Sequence, residues 1–179
     1  RSKLMSEQLL AVQNELPYLI IRPTAVYGPR DKELFALIKM INRKIEPYIG
    51  FKKQMLSFVF IRDLVKAVFS SMESNQVNRS YIVSDGGDYT LRNFNDIVKR
   101  KLSKKTFRIT IPSSVAQPVA LLYELIAMMT GTPSVFNRER LKEFKASNWL
   151  CNIEAIKSDV NFKADYNLES GLHETIDWY

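Results

Sequence analysis

Apolar residues Leu4, Met5, Leu9, Leu10 and Val12 recur at helical spacing between Ser2 and Glu15, and they predict an amphipathic helix that Pro17 ends. Tyr18-Leu19-Ile20-Ile21 follows as a short continuous apolar run, the pattern of a parallel strand covered on both faces. Leu34, Phe35, Leu37, Ile38 and Ile41 mark a second amphipathic helix after the Gly28-Pro29 turn. Leu56 to Ile61 reads as a strand, and Asp63 is placed to cap a helix carrying Leu64, Val65, Val68 and Phe69. Tyr81-Ile82-Val83 leads into an Asp85-Gly86-Gly87-Asp88 turn, after which Thr90 is placed to cap a helix running to Leu102. Phe107 to Ile111 alternates as a strand and stops at Pro112. The remainder is mostly helical and closes with Leu168 to Tyr179. Strands separated by helices argue an α/β architecture with mainly parallel pairing.

Composition narrows the class. With 179 residues, 46% of them hydrophobic, the chain can bury a sizeable core. A single cysteine, Cys151, excludes an internal disulfide, and a single histidine argues against catalytic zinc. The sequence shows neither a secretory leader nor an apolar run long enough to span a bilayer, so a soluble, cytoplasmic protein without stable membrane insertion is expected. The formal charge of +7 raises the question of an anionic partner. Its densest stretch, Lys99 to Arg108, follows a probable helix end, where cations are favoured by the macrodipole, so no nucleic-acid partner is expected.

Two motifs carry the chemistry: Arg1-Ser2-Lys3-Leu4-Met5-Ser6-Glu7 and, further on, Arg22-Pro23-Thr24-Ala25-Val26-Tyr27-Gly28-Pro29. Together they resemble the extended short-chain dehydrogenase/reductases, the NAD-dependent epimerase/dehydratase family, and a third stretch agrees. Gly171-Leu172-His173-Glu174-Thr175-Ile176-Asp177-Trp178, preceded by Phe162, is similar to the packing pattern that closes that family's fold. The resemblance implies the C-terminal part of a Rossmann-like doubly wound parallel sheet, interwoven with a small α/β substrate-binding domain. It also implies an oxidoreductase, epimerase or dehydratase that uses NAD or NADP on a small-molecule substrate.

In that family a Tyr-x-x-x-Lys pair performs proton transfer while a hydride moves to or from the nicotinamide, the lysine holding the ribose and stabilising the tyrosinate. Lys3 matches the lysine, which would place the tyrosine two positions before Arg1. Pro23, Thr24, Ala25 and Val26 match the strand end that lines the nicotinamide pocket, at the carboxyl edge where open α/β sheets bind ligands. Tyr27 and Pro29 read as packing residues, and Glu7 is spaced to pair with Lys3. Many sugar-nucleotide epimerases carry Asn at the position of Ala25 and Arg at that of Leu56. Alanine cannot hydrogen-bond and leucine cannot hold a phosphate, which turns the reading toward the hydroxysteroid and dihydroflavonol-type branch. The apolar stretch Ser113 to Gly131 reads as a core or pocket helix, with Met128 and Met129 as candidate contacts to an apolar ligand, and His173 is expected to be exposed.

The chain's six glycines form no Gly-x-x-Gly-x-x-Gly or Gly-x-Gly-x-x-Gly fingerprint for a pyrophosphate. The expectation is a C-terminal fragment, residues 1–179, without the N-terminal dinucleotide-binding half and inactive by itself. Its open sheet edge and apolar faces should drive self-association into a homo-oligomer. A non-catalytic nucleotide-sensing or scaffold protein of the same fold is the alternative.

Overall fold

The computed structural model describes residues 2–12, 16–50, 54–112 and 148–179. In chain order the elements are α1 (Ser2–Val12), β1 (Leu19–Pro23), β2 (Ala25–Tyr27), α2 (Lys32–Asn42), β3 (Ile45–Ile49), β4 (Met55–Leu56), β5 (Phe58–Phe60), α3 (Ile61–Glu73), β6 (Arg79–Val83), β7 (Tyr89–Thr90), α4 (Leu91–Leu102), β8 (Phe107–Ile111), α5 (Glu154–Val160) and α6 (Leu168–Trp178). The chain divides into two compact units, one of residues 1–30, 57–88 and 150–179 and the other of residues 31–56 and 89–149. The expected Ser113 to Gly131 helix lies outside the described residues.

The first unit is α/β with parallel pairing. β1 runs parallel to β6, from Leu19 opposite Arg79 to Pro23 opposite Val83, and α3 lies on the connection between them. At Thr24 the chain changes partner, and β2 continues parallel to β5 with Ala25 opposite Phe58. Val59, Tyr81 and Val83 of these strands pack with Ala67 of α3, Ile153, Ile156 of α5 and Phe162 into one buried cluster. Each of the Val, Ile and Phe side chains taken from water is worth roughly 1.5–3 kcal/mol, which is what holds α3 and α5 to the strands. Tyr81 is buried to its tip, where its hydroxyl donates to Asp159 Oδ2 at 3.0 Å.

Two local expectations change here. The stretch from Leu56 to Ile61 is not one strand. It breaks at buried Ser57, whose carbonyl accepts the Ala25 N–H at 3.3 Å, and α3 already begins at Ile61. Asp63 is therefore inside the first turn, not at its cap. Its buried carboxylate accepts the backbone N–H groups of Asp165 at 2.9 Å and Tyr166 at 3.0 Å. A carboxylate at a helix N-terminus is favoured by the dipole, and this one fixes the segment that leads into α6.

That segment locks onto β2. Tyr27 is 1% exposed, lies 5.5 Å from the Phe60 ring centroid, and donates its hydroxyl to the Asn167 carbonyl at 3.2 Å. Asn167 caps α6 in a capping box with Ser170. Gly171, one turn into α6, lies directly under Tyr27, and a Cβ there would collide with the phenol hydroxyl and ring. This bears out the packing role read for Tyr27 and for the closing Gly-Leu pattern. Gly28 is constrained similarly: its φ is +154° and a Cβ would approach Ile61 Cγ2 to 2.6 Å. His173 is half-buried rather than exposed.

In the second unit β3 runs parallel to β8, with Ile45 opposite Phe107, while β4 and β7 form a short antiparallel pair. Thr90 caps α4 as expected, in a capping box with Asn93. Strand β3 has no counterpart in the sequence reading. Pro47 at its centre and the polar Glu46 and Tyr48 disguise it. Glu46 is buried and accepts hydrogen bonds from the Tyr48 hydroxyl at 2.5 Å, Thr106 Oγ1 at 2.8 Å and Lys99 Nζ at 3.0 Å. Burial alone would raise the Glu46 carboxyl, but these hydrogen bonds and the Lys99 charge outweigh it and hold the group down at about 2. Lys99 is thus not merely a solvated helix-end cation; it joins α4 to β3.

Two outcomes follow for stability. Gly171→Ala should lower the unfolding free energy by about 2 kcal/mol or more, as overpacking does, measured by chemical denaturation. An unchanged midpoint would mean that Tyr27 is not seated over Gly171. Because Glu46 is depressed below its ordinary 4.5 in the folded state, its contribution is complete above pH 4.5 and disappears as pH falls from 4.5 toward 2. Glu46→Gln should therefore cost on the order of 3 kcal/mol at neutral pH and flatten the acid limb of stability against pH. A variant whose acid limb matches the parent's would sink the assignment.

Candidate functional site

The carboxyl ends of β1 and β6 and the two strands β2 and β5 meet at one edge of the first unit. Thr24 sits at the change of partner, and both its backbone N–H and its hydroxyl donate to the Val83 carbonyl, at 3.0 and 3.1 Å. The Ala25 N–H is held by Ser57, as described above. The amides of Thr24 and Ala25 are thus engaged inside the fold. What this edge presents outward is apolar: Pro23 and Ala25 are exposed, while Val26 faces the other way and packs against the core around Val59, Tyr81 and Val83.

The turn after β6 completes the edge. The Asp85 N–H donates to the Phe58 carbonyl at 2.8 Å, Ser84 Oγ accepts the Gly86 N–H at 3.1 Å, and Asp85 Oδ1 accepts the Gly87 N–H at 2.8 Å. Sequence marked Asp85 to Asp88 as a turn but gave no sign that it stands beside Ala25 to Tyr27. Only the pairing of β2 with β5, and of β1 with β6, brings residues 25, 58 and 85 together. Ser57 and Ser84, both buried, are the side chains that sequence reasoning missed.

Lys3 lies exposed on α1, one turn before Glu7. Glu7 does not pair with Lys3. It grips Arg22 of β1 through two hydrogen bonds, Arg22 Nη2 to Oε2 at 2.6 Å and Nε to Oε1 at 3.2 Å, while Arg22 Nη1 donates to Ser80 Oγ of β6 at 3.2 Å. A guanidinium fork matches a carboxylate edge to edge, a geometry that an ammonium cannot supply, which is why Arg22 outcompetes the nearer Lys3. The hydrogen bond lowers the Glu7 carboxyl from its ordinary range and raises Arg22 further. The structure thereby joins the helix of Lys3 to the residue immediately before Pro23. It gives no contact between Lys3 itself and Pro23, Thr24, Ala25 or Val26. On α1, Leu4, Met5, Leu9 and Val12 are exposed and Leu10 is half-buried. Among the described residues no helix is long and apolar enough to cross a membrane.

Residues 1–84 match the NAD dependent epimerase/dehydratase family. The chain is 25% identical over 93% of its length to the UDP-glucose 4-epimerase of Vibrio cholerae, covering 48% of it. It is 24% identical over 90% of its length to the ceramide reductase of Caulobacter vibrioides, covering 50% of it. A sterol-4-alpha-carboxylate 3-dehydrogenase (decarboxylating) of Dictyostelium discoideum is 24% identical over 97% of the chain, with 55% of that protein covered. Among solved structures, the UDP-glucuronic acid 4-epimerase from Bacillus cereus, in complex with UDP-glucuronic acid and NAD, superposes on 99% of the chain with a TM-score of 0.72 at 14% identity, covering 49% of that protein. The epimerase Mth375 from Methanothermobacter thermautotrophicus reaches 0.74 at 13% identity, with 48% covered. The chain therefore spans about half the length of the relatives it matches. Residues 1–84 thus resemble the NAD-dependent epimerase/dehydratase family, and the chain shares the parallel α/β fold of the solved epimerases.

Proposed function

We propose that residues 1–179 are the C-terminal half of an NAD(P)-dependent oxidoreductase, epimerase or dehydratase, with Lys3 as a catalytic residue and Pro23, Thr24, Ala25 and Val26 as the cofactor-binding strand end. The observation that carries this reading is the Glu7–Arg22 joint. It ties the helix bearing Lys3 to the strand that ends in Pro23, at the carboxyl edge where such sheets take ligands. The exposed Pro23 and Ala25 suit one flat face of a nicotinamide ring. When bound, that ring supplies hydride transfer.

The residues of this chain then have separate tasks. Lys3 holds the ribose hydroxyls and, as a fixed positive charge one helical turn from a tyrosine two positions before Arg1, favours that tyrosine's ionised form. The tyrosine moves the proton at the substrate oxygen. Thr24 has its hydroxyl engaged by Val83, so it acts by fixing the turn of the chain rather than by binding ligand through its side chain. Substrate preference leans away from sugar nucleotides. Ala25 offers no hydrogen bond where one would orient a sugar, and Leu56 offers no charge for a phosphate, so a small alcohol or ketone of apolar character fits better.

The reading predicts that the full-length protein binds NADH or NADPH with a change in nicotinamide fluorescence and that residues 1–179 alone do not. In the full-length protein Lys3→Met should reduce kcat/KM on the order of a hundredfold or more, while far-ultraviolet circular dichroism stays unchanged. A residue other than tyrosine two positions before Arg1, or a Lys3→Met protein with parental kinetics, would leave the scaffold reading in its place.

A further inference from the structure

The positive charge of the chain is carried by one of its two units. Residues 31–56 and 89–149 hold 17 Lys and Arg against 7 Asp and Glu, a net of +10, whereas the other unit holds 9 against 12, a net of −3. Neither the strand edge nor the proposed chemistry uses this charge.

Part of it is concentrated at one margin of the unit. α2 ends at Asn42 and α4 at Leu102, and the chain passes from these ends into the starts of the parallel strands β3 and β8. The Phe107 N–H donates to the Lys44 carbonyl at 2.8 Å, which brings the two crossings side by side. Arg43 and Lys44 on one, and Lys104 and Lys105 on the other, are all exposed, and none has an acidic partner among the described residues. Neighbouring cations are already committed: Lys99 to Glu46 and Asp96, and Arg108 over the Tyr48 ring at 4.0 Å. The helix dipole favours Arg43, Lys44 and Lys104, which stand at or directly after the caps of α2 and α4, but it pairs none of them with a counter-charge and does not extend to Lys105.

Beside the four cations a large aromatic side chain projects into solvent. Phe107 is 78% exposed, and Ile109, two residues on and on the same face of β8, is 47% exposed. A basic rim bordering protruding apolar side chains matches the interfacial region of an anionic bilayer, in which cations meet phosphates while aromatic and aliphatic groups enter the headgroup boundary. A single-stranded nucleic acid could stack on Phe107, but Ile109 offers it nothing.

We propose that this margin docks peripherally on an anionic membrane surface, with Phe107 and Ile109 entering the headgroup layer and Arg43, Lys44, Lys104 and Lys105 over the lipid phosphates. The contact is independent of catalysis and brings the protein to a surface where apolar substrates reside.

Co-sedimentation of the 179-residue chain with phosphatidylcholine vesicles and with mixed phosphatidylcholine–phosphatidylglycerol vesicles tests the proposal. Binding is expected only to the mixed vesicles, and it should weaken as salt rises. Each unit of charge near such a surface is worth about a fivefold change in partition, so Lys104→Glu/Lys105→Glu, a change of four units, should weaken binding by roughly several hundredfold. Phe107→Ser should weaken it severalfold without altering the net charge. Arg79→Glu/Lys163→Glu, the same charge change on exposed residues of the other unit, should have far less effect. Circular dichroism of each variant shows whether it remains folded. No binding to mixed vesicles, equal binding to neutral ones, equal loss in the Arg79/Lys163 control, or binding to single-stranded RNA in the absence of vesicle binding would overturn it.

Discussion

A buried carboxylate that accepts two backbone N–H groups is the constraint on which the first unit turns. Asp63 sits in the first turn of α3, where the helix dipole favours its charge, and it holds Asp165 and Tyr166 in place. Around it Arg62 reaches the Tyr166 hydroxyl and Lys66 reaches Asp165 and the Lys163 carbonyl. Those exposed contacts add little each, since solvent screens them. Held there, the segment delivers the Asn167 carbonyl to Tyr27 and the bare face of Gly171 to its ring. Tyr27 ends the strand stretch that begins at Pro23, so the closing helix is part of what sets this strand edge.

The second unit is organised around a different buried charge. Glu46 gathers Tyr48, Thr106 and Lys99, from β3, the approach to β8 and α4, into one hydrogen-bonded group. Such a carboxylate is stable only because it is fully engaged; removing its partners would leave a buried charge uncompensated. The unit combines this compact interior with a surplus of exposed cations, and the other unit combines an apolar interior with a slight acidic excess. The two halves of the division thus differ in electrostatic character as well as in sequence.

The likeness to the epimerase/dehydratase family does not choose one chemistry, because the similar proteins are named an epimerase, a reductase and a dehydrogenase. The strand edge is more discriminating. With the amides of Thr24 and Ala25 held by Val83 and Ser57, it presents side-chain surface from Pro23 and Ala25, and Val26 anchors it to the core. An apolar wall of this kind suits contact with a flat group rather than hydrogen bonding, and the Glu7–Arg22 joint fixes α1 to the strand that leads into it.

Sequence alone determined the alternation of helices and strands, the Thr90 cap, the Gly28 turn and the packing role of Tyr27 and of the Gly171-Leu172 helix, because each of these depends on local spacing or on a residue type with few uses. It also carried the family resemblance and the candidate residues Lys3 and Pro23 to Val26. Tertiary structure decided what Asp63, Glu7, Glu46 and Ser57 do. A carboxylate or hydroxyl has several possible partners within a few residues, and the one it takes is set by which distant backbone or guanidinium the fold brings within reach. Glu7 chose Arg22 over Lys3, and Asp63 chose residues about a hundred positions away over its own helix, for that reason. Strand β3 was hidden for a related one: Pro47 and Glu46 look wrong for a strand until Tyr48, Thr106 and Lys99 surround the carboxylate and β8 lies alongside.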